Sequence, residues 1–89
     1  FDSSIRYGAD KLLPVLRKVS GEVFNIRMFG SSVRILTYVA EGKLDFAIEF
    51  HDRPWDFAGG VAIVTEAGGK FTDLRGLAPN PKTLGYIAS

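Results

Sequence analysis

The sequence predicts an α/β fold in which a layered sheet is covered by crossover helices. Three observations support this class: apolar residues alternate over residues 44–50, a helical spacing follows Gly30-Ser31-Ser32, and a second helix beginning at Pro54 ends at the pair Gly68-Gly69. Strands and helices in this order are typical of a sheet whose connections are helices. Ligands of such sheets bind where strands end and helices begin.

The first third of the chain predicts one helix and one strand. Residues 9–18 carry apolar residues in helical spacing with Pro14 among them, and this proline either lies in the first turn or kinks the helix. Ser20-Gly21 interrupt the pattern, and the apolar residues of segment 23–28 then predict a strand.

The middle of the chain predicts a capped helix. Ser31 or Ser32 is a suitable N-cap, because a serine hydroxyl can accept a hydrogen bond from a free N–H of the first turn, and Gly42 can end the helix. The apolar residues expected on its buried face are Val33, Leu36, Val39 and Ala40.

The alternation over residues 44–50 predicts a strand with one buried face. Leu44, Phe46, Ile48 and Phe50 share that face, which leaves Glu49 on the polar face. After the second helix we expect a turn at Leu74-Arg75-Gly76 and a short strand over residues 84–88.

The composition excludes several classes of protein. Eighty-nine residues form one small domain with a limited core, so we expect the domain to need a partner surface. The net charge is +1 with no basic stripe, which argues against nucleic-acid binding. The absence of cysteine excludes disulfides and thiol catalysis and favours a cytoplasmic protein. No apolar run reaches the length of a membrane span.

The most informative segment is Pro54-Trp55-Asp56-Phe57-Ala58-Gly59-Gly60, which continues to Glu66-Ala67-Gly68-Gly69. It places a carboxylate in the first turn of a helix, where the helix dipole favours an anion. A carboxylate held there on rigid backbone is suited to bind a cation, although helix capping alone also explains an aspartate at this position.

This segment resembles the C-terminal signature of the inositol monophosphatase family. Gly30-Ser31-Ser32, the run from Val39 to Asp45 that leads to Glu49, and the closing Tyr86-Ile87-Ala88-Ser89 agree with the family in order and spacing from about Arg27 onward. The family comprises magnesium-dependent, lithium-sensitive phosphomonoesterases that include archaeal-type fructose-1,6-bisphosphatases.

The resemblance implies a function and a set of site residues. Asp56 would bind catalytic Mg²⁺, Glu49 would accept hydrogen bonds from substrate hydroxyls, and Gly30, Ser31 and Ser32 would line the substrate, a small phosphomonoester. It also implies a homodimer. An alternative from another class is a non-catalytic α/β interaction domain that keeps the signature for packing.

The resemblance also implies that residues 1–89 form a C-terminal domain whose N-terminal half is missing. The family's Asp-Pro-x-Asp-Gly-Thr segment, which supplies most metal ligands, does not occur in this sequence. One aspartate cannot hold a group of magnesium ions. We therefore expect the 89 residues to be inactive alone.

Other residues near the signature receive structural interpretations. We expect Trp55 to lie in the core, because a large aromatic residue mostly supplies buried area. His51 is expected to be solvated, and Glu66 to be a surface or interdomain residue. We expect Arg27 and Arg53 to be surface residues, with contact to a substrate phosphate through charge-assisted hydrogen bonds as the alternative.

Overall fold

The computed structural model describes residues 5–89. Within this range the chain forms three helices and three short strands. In chain order these are α1 Ile5–Val19, α2 Ser32–Ala40, β1 Ala47–Glu49, α3 Pro54–Glu66, β2 Phe71–Thr72 and β3 Tyr86–Ala88.

The strands form one sheet in the order β1-β3-β2, and β3 runs antiparallel to both neighbours. The two outer strands are therefore parallel to each other, and α3 is the crossover between them. The mixed helix-and-sheet architecture with a crossover helix is thus confirmed. No helix within residues 5–89 is both long enough and apolar enough to cross a membrane.

The core lies between one face of the sheet and the two central helices. In the register, Ala47 pairs with Ala88 and Glu49 pairs with Tyr86, so these four side chains share a face. Helices α2 and α3 cover it with their apolar residues. The core residues contributed by the two helices are Ile35, Leu36, Val39, Phe57 and Val64.

Helices α2 and α3 approach closely at Gly60. A Cβ atom built there would overlap the side chain of Leu36, whereas a Cβ atom at the neighbouring Gly59 would meet no atom within 4 Å. Because interiors are close-packed, Gly60 is the position where α3 cannot accept a larger residue without displacing α2.

The predicted boundaries of α2 are confirmed. Ser31 is the N-cap, and its hydroxyl accepts a hydrogen bond from the Arg34 N–H at 3.3 Å. Gly42, with φ of 76°, follows the helix in the left-handed conformation that glycine tolerates. The expectation that Val33 is buried is wrong: it is exposed, and Ile35 occupies the core instead.

Neither expectation for Pro14 holds in helix α1, because Pro14 lies in the helix interior and no kink occurs at it. The helix continues through Pro14, and the non-helical dihedral angles lie upstream at Gly8 (φ −132°, ψ 15°). The residue that kinks this segment is therefore the glycine and not the proline.

The strand predicted over residues 23–28 is wrong. This segment has no regular secondary structure, and a cleft of about 520 Å³ lies between it and residues 43–46. An extended segment becomes a strand only when a neighbour pairs with its backbone. No neighbour among the described residues pairs with it, and Phe24 is fully exposed.

The faces predicted for the strand around Ile48 are also wrong. The strand is limited to Ala47–Glu49, and its buried residues are Ala47 and Glu49, while Ile48 is half-buried and Phe46 is exposed. The alternation was recognised correctly, but the sheet turns the less apolar set of side chains towards the helices. Hydrophobicity alone therefore assigned the wrong face.

Candidate functional site

Two carboxylates fix the two ends of the 50–53 loop, which consists of residues 50–53 between β1 and α3. Glu49 Oε1 accepts hydrogen bonds from the backbone N–H groups of Phe50 (2.8 Å) and His51 (2.9 Å). At the other end, Asp56 Oδ2 accepts a hydrogen bond from the Arg53 N–H at 3.1 Å. The loop is thus held in one conformation by the two acidic residues that the sequence singled out.

Asp56 occupies the third position of α3, and its bond to Arg53 is the reciprocal half of a capping interaction. Pro54 begins the helix, where its missing N–H is not needed. Asp56 is exposed, and its carboxylate stands at the positive end of the helix dipole. Capping and an accessible anionic oxygen therefore coexist in this residue.

Glu49 does not lie on the polar face where it was predicted. It is only 3 % exposed and lies directly across the β1–β3 pair from Tyr86. In this buried position its Oε1 is hydrogen-bonded to two backbone N–H groups. The contacts give Glu49 a structural task in addition to any contact with a ligand.

Gly30, Ser31 and Ser32 form the turn that opens α2. Gly30 has φ of 71°, Ser31 caps the helix, and Ser32 is buried at the first helical position. The Ser32 hydroxyl donates a hydrogen bond to Asp52 in the 50–53 loop. The structure therefore brings this turn together with the loop that precedes α3, as expected if both helix starts face one region.

Tyr86 extends this contact into the sheet, since its hydroxyl donates a hydrogen bond to Ser32 Oγ at 2.9 Å. The Tyr86 ring is packed among aromatic neighbours, with centroids 5.4 Å from Phe57 and 5.0 Å from Phe71. The backbone of the 50–53 loop is tied to the same region, because the Gly85 N–H donates to the Asp52 carbonyl at 3.0 Å. Ser32, Asp52 and Tyr86 thus form a buried hydrogen-bond chain from β3 to the loop.

Three carboxylates act on one another here. Burial raises the pKa of the Asp52 carboxyl to about 7, and the negative charges of Asp56 and Glu49 add to the rise, while the hydrogen bond from Ser32 opposes it. Carboxylates that disfavour each other's charge create a negative potential. Such a place favours a cation.

The described residues do not complete a metal site. Within residues 5–89, no group of three histidine, cysteine, aspartate or glutamate side chains is arranged to hold a metal ion. The exposed carboxylate of Asp56 nevertheless has the donor chemistry that Mg²⁺ prefers, a hard anionic oxygen on rigid backbone. As a single carboxylate it matches one ligand position and does not by itself make a metal site.

Two interpretations of the neighbouring residues are wrong. Trp55 is 75 % exposed, with the Arg53 guanidinium over its ring at 5.7 Å. It is excluded from the core because Phe57, two positions later, faces the sheet, and residues two apart on a helix point to different sides. His51 is half-buried rather than solvated, and its ring centroid lies 5.1 Å from that of Tyr7.

Sequence reasoning missed the roles of Asp52 and Tyr86. Asp52 stands in a charged turn with nothing in its spacing to distinguish it, and Tyr86 belonged to a closing motif without an assigned task. Both act through long-range contacts. Asp52 is separated from Ser32 by 20 positions in the sequence, and Tyr86 is separated from Ser32 by 54. A single sequence contains no signal for such contacts.

Comparison with known proteins places this arrangement in a family. The model of the inositol monophosphatase family matches residues 3–89. A probable inositol 1-monophosphatase of Mycobacterium tuberculosis, ImpA, is 40% identical over 87 residues, which are 98% of this chain and 32% of that protein. The Nus factor SuhB of Escherichia coli is 40% identical over 68 residues, which are 76% of this chain and 26% of that protein.

A solved structure agrees with the sequence relatives. The Thermotoga maritima IMPase superposes with a TM-score of 0.86 and 32% sequence identity, and the match covers 99% of this chain and 33% of that one. This chain spans between about a quarter and a third of the length of these proteins.

Proposed function

Because this chain belongs to the inositol monophosphatase family, we propose that the full-length protein carrying it hydrolyses the phosphomonoester of inositol or of a related sugar or polyol, such as fructose 1,6-bisphosphate. The observation that carries the proposal is the family match over residues 3–89, which includes the two acidic residues at the ends of the 50–53 loop. Relatives named as inositol monophosphatases support the reaction type.

We assign the site residues as follows. Asp56 is a ligand of Mg²⁺, supported by its exposed carboxylate at the start of α3. Bound magnesium supplies Lewis-acid chemistry, which lowers the pKa of water and neutralises charge on the leaving oxygen. Asp56 also keeps the 50–53 loop attached to α3, so that one side chain both binds the cation and holds the loop in place.

Substrate recognition is assigned to Glu49 and to the turn at Gly30, Ser31 and Ser32. An ionised carboxylate is an acceptor only, so Glu49 can take hydrogen bonds from polyol hydroxyls. Its Oε1 is already oriented by two backbone N–H groups, which stiffens the side chain. Gly30 lets a ligand approach the backbone closely, because it has no side chain.

We further propose that residues 1–89 are the C-terminal α/β domain of this enzyme and that a preceding domain supplies the remaining metal ligands. The share of the relatives covered and the incomplete donor set among residues 5–89 support this. The 89 residues alone are then inactive. The whole protein would be a cytoplasmic homodimer.

The experiment is a phosphatase assay of the full-length protein beside the 89-residue chain. Release of inorganic phosphate from inositol 1-phosphate and from fructose 1,6-bisphosphate is measured over a range of Mg²⁺ concentrations and in the presence of a chelator. We expect Mg²⁺-dependent turnover from the full-length protein and none from the short chain. Phosphate release that is insensitive to chelation would overturn the metal role, and turnover by the short chain would overturn the division into two domains.

A second candidate is a non-catalytic interaction domain. It is favoured by one observation: relatives 38–40% identical to this chain are named as Nus factors rather than as phosphatases. The same assay separates the candidates, since an interaction domain gives no turnover at any Mg²⁺ concentration. The sequence upstream provides a second discriminator, because a phosphatase needs the Asp-Pro-x-Asp-Gly-Thr carboxylates there.

A further inference from the structure

We propose that the buried hydrogen-bond chain of Tyr86, Ser32 and Asp52 positions the substrate turn at residues 30–32 against the 50–53 loop, so that Tyr86 and Asp52 are positioning residues for substrate recognition by that turn. The inference rests on the proposed function and goes beyond it, since the function assigns no task to Asp52 or Tyr86.

This hydrogen-bond chain joins three separate parts of the fold. Tyr86 lies in the central strand β3, Ser32 is the first residue of α2, and Asp52 lies in the loop before α3. The hydroxyl of Tyr86 donates to Ser32, which in turn donates to Asp52. Donation in one direction lets each hydrogen bond polarise the next.

Tyr86 and Asp52 are also held by contacts outside this hydrogen-bond chain. The Tyr86 ring is held by Phe57 and Phe71, and the Asp52 carbonyl is held by the Gly85 N–H. Gly85 is required for this approach, because a Cβ atom there would lie 3.1 Å from Phe50 Cα and would overlap the Glu49 carbonyl oxygen. The turn at residues 30–32 therefore cannot move without breaking hydrogen bonds that water does not replace.

The chemistry of the chain indicates more than a packing role. Asp52 is 8 % exposed and lies in the loop whose two ends are held by Glu49 and Asp56. A purely structural contact would be served as well by apolar side chains of similar shape. The arrangement is instead placed between the residues assigned to substrate and those assigned to metal.

The decisive variant is Tyr86→Phe in the full-length protein. Tyr86 is completely buried and its hydroxyl donates to Ser32 Oγ, so we expect this variant to act on recognition through Ser32. We expect KM to rise by about tenfold, with kcat and the Mg²⁺ concentration for half-maximal activity changed less than about twofold, because loss of uniform binding raises KM alone. Ser32→Ala should act in the same direction.

Two matched controls each remove a hydroxyl from α2, the helix of Ser32, that does not belong to the hydrogen-bond chain. Tyr38→Phe changes a half-buried ring that packs against Phe29, and Thr37→Val removes a hydroxyl that donates to the Val33 carbonyl. Both should keep the wild-type KM. The double variant of Ser32→Ala and Tyr86→Phe should be no worse than the worse single variant, because residues in one network are not additive.

Conservative rescue tests the role of Asp52. Asp52→Leu removes the acceptor and should raise KM, whereas Asp52→Asn keeps an acceptor oxygen for Ser32 and should restore KM most of the way. A KM for Tyr86→Phe equal to that of the wild type would overturn the positioning role while the phosphatase function stands. A lower melting temperature without a change in KM would do the same. An inactive wild-type protein would remove the proposed function and this inference together.

Discussion

The 50–53 loop and the turn between β2 and β3 each bury an aspartate, and the two aspartates differ in what surrounds them. Asp52 is 8 % exposed and Asp73 is 5 % exposed. The side chain of Asp52 accepts from a serine hydroxyl and lies near two other carboxylates. The side chain of Asp73 accepts from the N–H groups of Arg75 (2.8 Å) and Leu77 (2.9 Å).

The different partners shift the two pKa values in opposite directions. Burial and the neighbouring carboxylates raise the pKa of Asp52 to about 7. For Asp73, the N–H of Leu77, helped by the backbone and guanidinium of Arg75, holds the pKa of the carboxyl below its ordinary value against the effect of burial. Similar exposure of two aspartates therefore does not mean the same pKa shift.

The comparison leads us to expect a structural role for Asp73 and a role in the proposed site for Asp52. The charge of Asp73 is neutralised by donors of its own turn, which begins at Asp73 and includes Gly76 in the left-handed conformation. The carboxylates around Asp52 leave a negative potential that a cation from elsewhere would relieve. Substitutions at Asp73 should change stability, and those at the two ends of the 50–53 loop should change activity.

The largest effect should come from Asp56→Asn in the full-length protein. Losing one anionic ligand should reduce phosphatase activity by roughly a hundredfold or more. Even substitution of a residue that only hydrogen-bonds to a metal ligand lowers metal affinity or activity by about 10–100-fold. The melting temperature should barely change, since asparagine caps a helix about as well as aspartate. Activity is measured against Mg²⁺ concentration beside a thermal melt.

Asp73→Asn is the matched control for that variant, because it also removes one carboxylate. It should leave turnover unchanged. Near-normal activity of Asp56→Asn at ordinary Mg²⁺ would contradict the metal role. Asp56 would then resemble Asp73, as a residue whose carboxylate only accepts hydrogen bonds from nearby N–H groups.

Glu49→Gln should have the next largest effect. Glutamine keeps an acceptor for the loop N–H groups but loses the charge, and a hydrogen bond to a charged group contributes about 1.5–3 kcal/mol. We expect kcat/KM to fall by roughly ten- to a hundredfold, with the Mg²⁺ requirement unchanged. The measurement is a set of saturation curves at several Mg²⁺ concentrations, and a large shift in the metal requirement would make Glu49 a ligand instead.

Asp73→Ala should lower stability without affecting activity. Because two backbone N–H groups and a guanidinium lose their acceptor, the melting temperature of the full-length protein should fall by a few degrees, about 2–4 °C. Equal turnover of the variant and the wild type at 25 °C is the accompanying test. A fall in kcat/KM comparable to that of Glu49→Gln would erase the distinction between the two regions.

The pH dependence of this effect follows from the direction of the shift. The pKa of Asp73 is lower in the folded protein than the usual value of about 3.9, so its ionised form stabilises the fold above about pH 4. That stabilisation is lost as the pH falls through the lowered pKa. Melts of the wild type and of Asp73→Asn should therefore differ at pH 7 and converge in acid, and a constant difference would contradict the assigned cause.

The sequence was sufficient for features that depend on neighbouring residues. The Ser31 cap, the glycine after α2 and the start of α3 at Pro54 follow from local backbone chemistry, and all three are confirmed. It failed where a partner decides the outcome. Segment 23–28 lacks a neighbouring strand among the described residues, and Trp55 is displaced from the core by Phe57.

The candidate site shows the same division. Asp56 and Glu49 were found because they stand at fixed positions in a recognisable motif, although their roles stay predictions. Asp52 and Tyr86 become significant only when β3 and α2 are brought together by the fold. Local patterns therefore identify the residues at the ends of the 50–53 loop. Only the tertiary structure identifies the buried residues that connect this loop to α2 and β3.

The smallest effect should come from Arg75→Ala, which tests which donors control Asp73. The Arg75 side chain is 72% exposed, and its guanidinium lies 3.1 Å from Asp73 Oδ2. Exposed ion pairs are screened by water and salt and contribute little, whereas the backbone N–H groups of residues 75 and 77 remain in the variant. The melting temperature should thus fall by much less than in Asp73→Ala, and the difference should shrink further when melts are repeated in 1 M salt. If Arg75→Ala were as destabilising as Asp73→Ala, the guanidinium would be the group that stabilises the charge of Asp73. Asp52 would then differ from Asp73 because it lacks a neighbouring cation, and not because its carboxylate lacks backbone N–H donors.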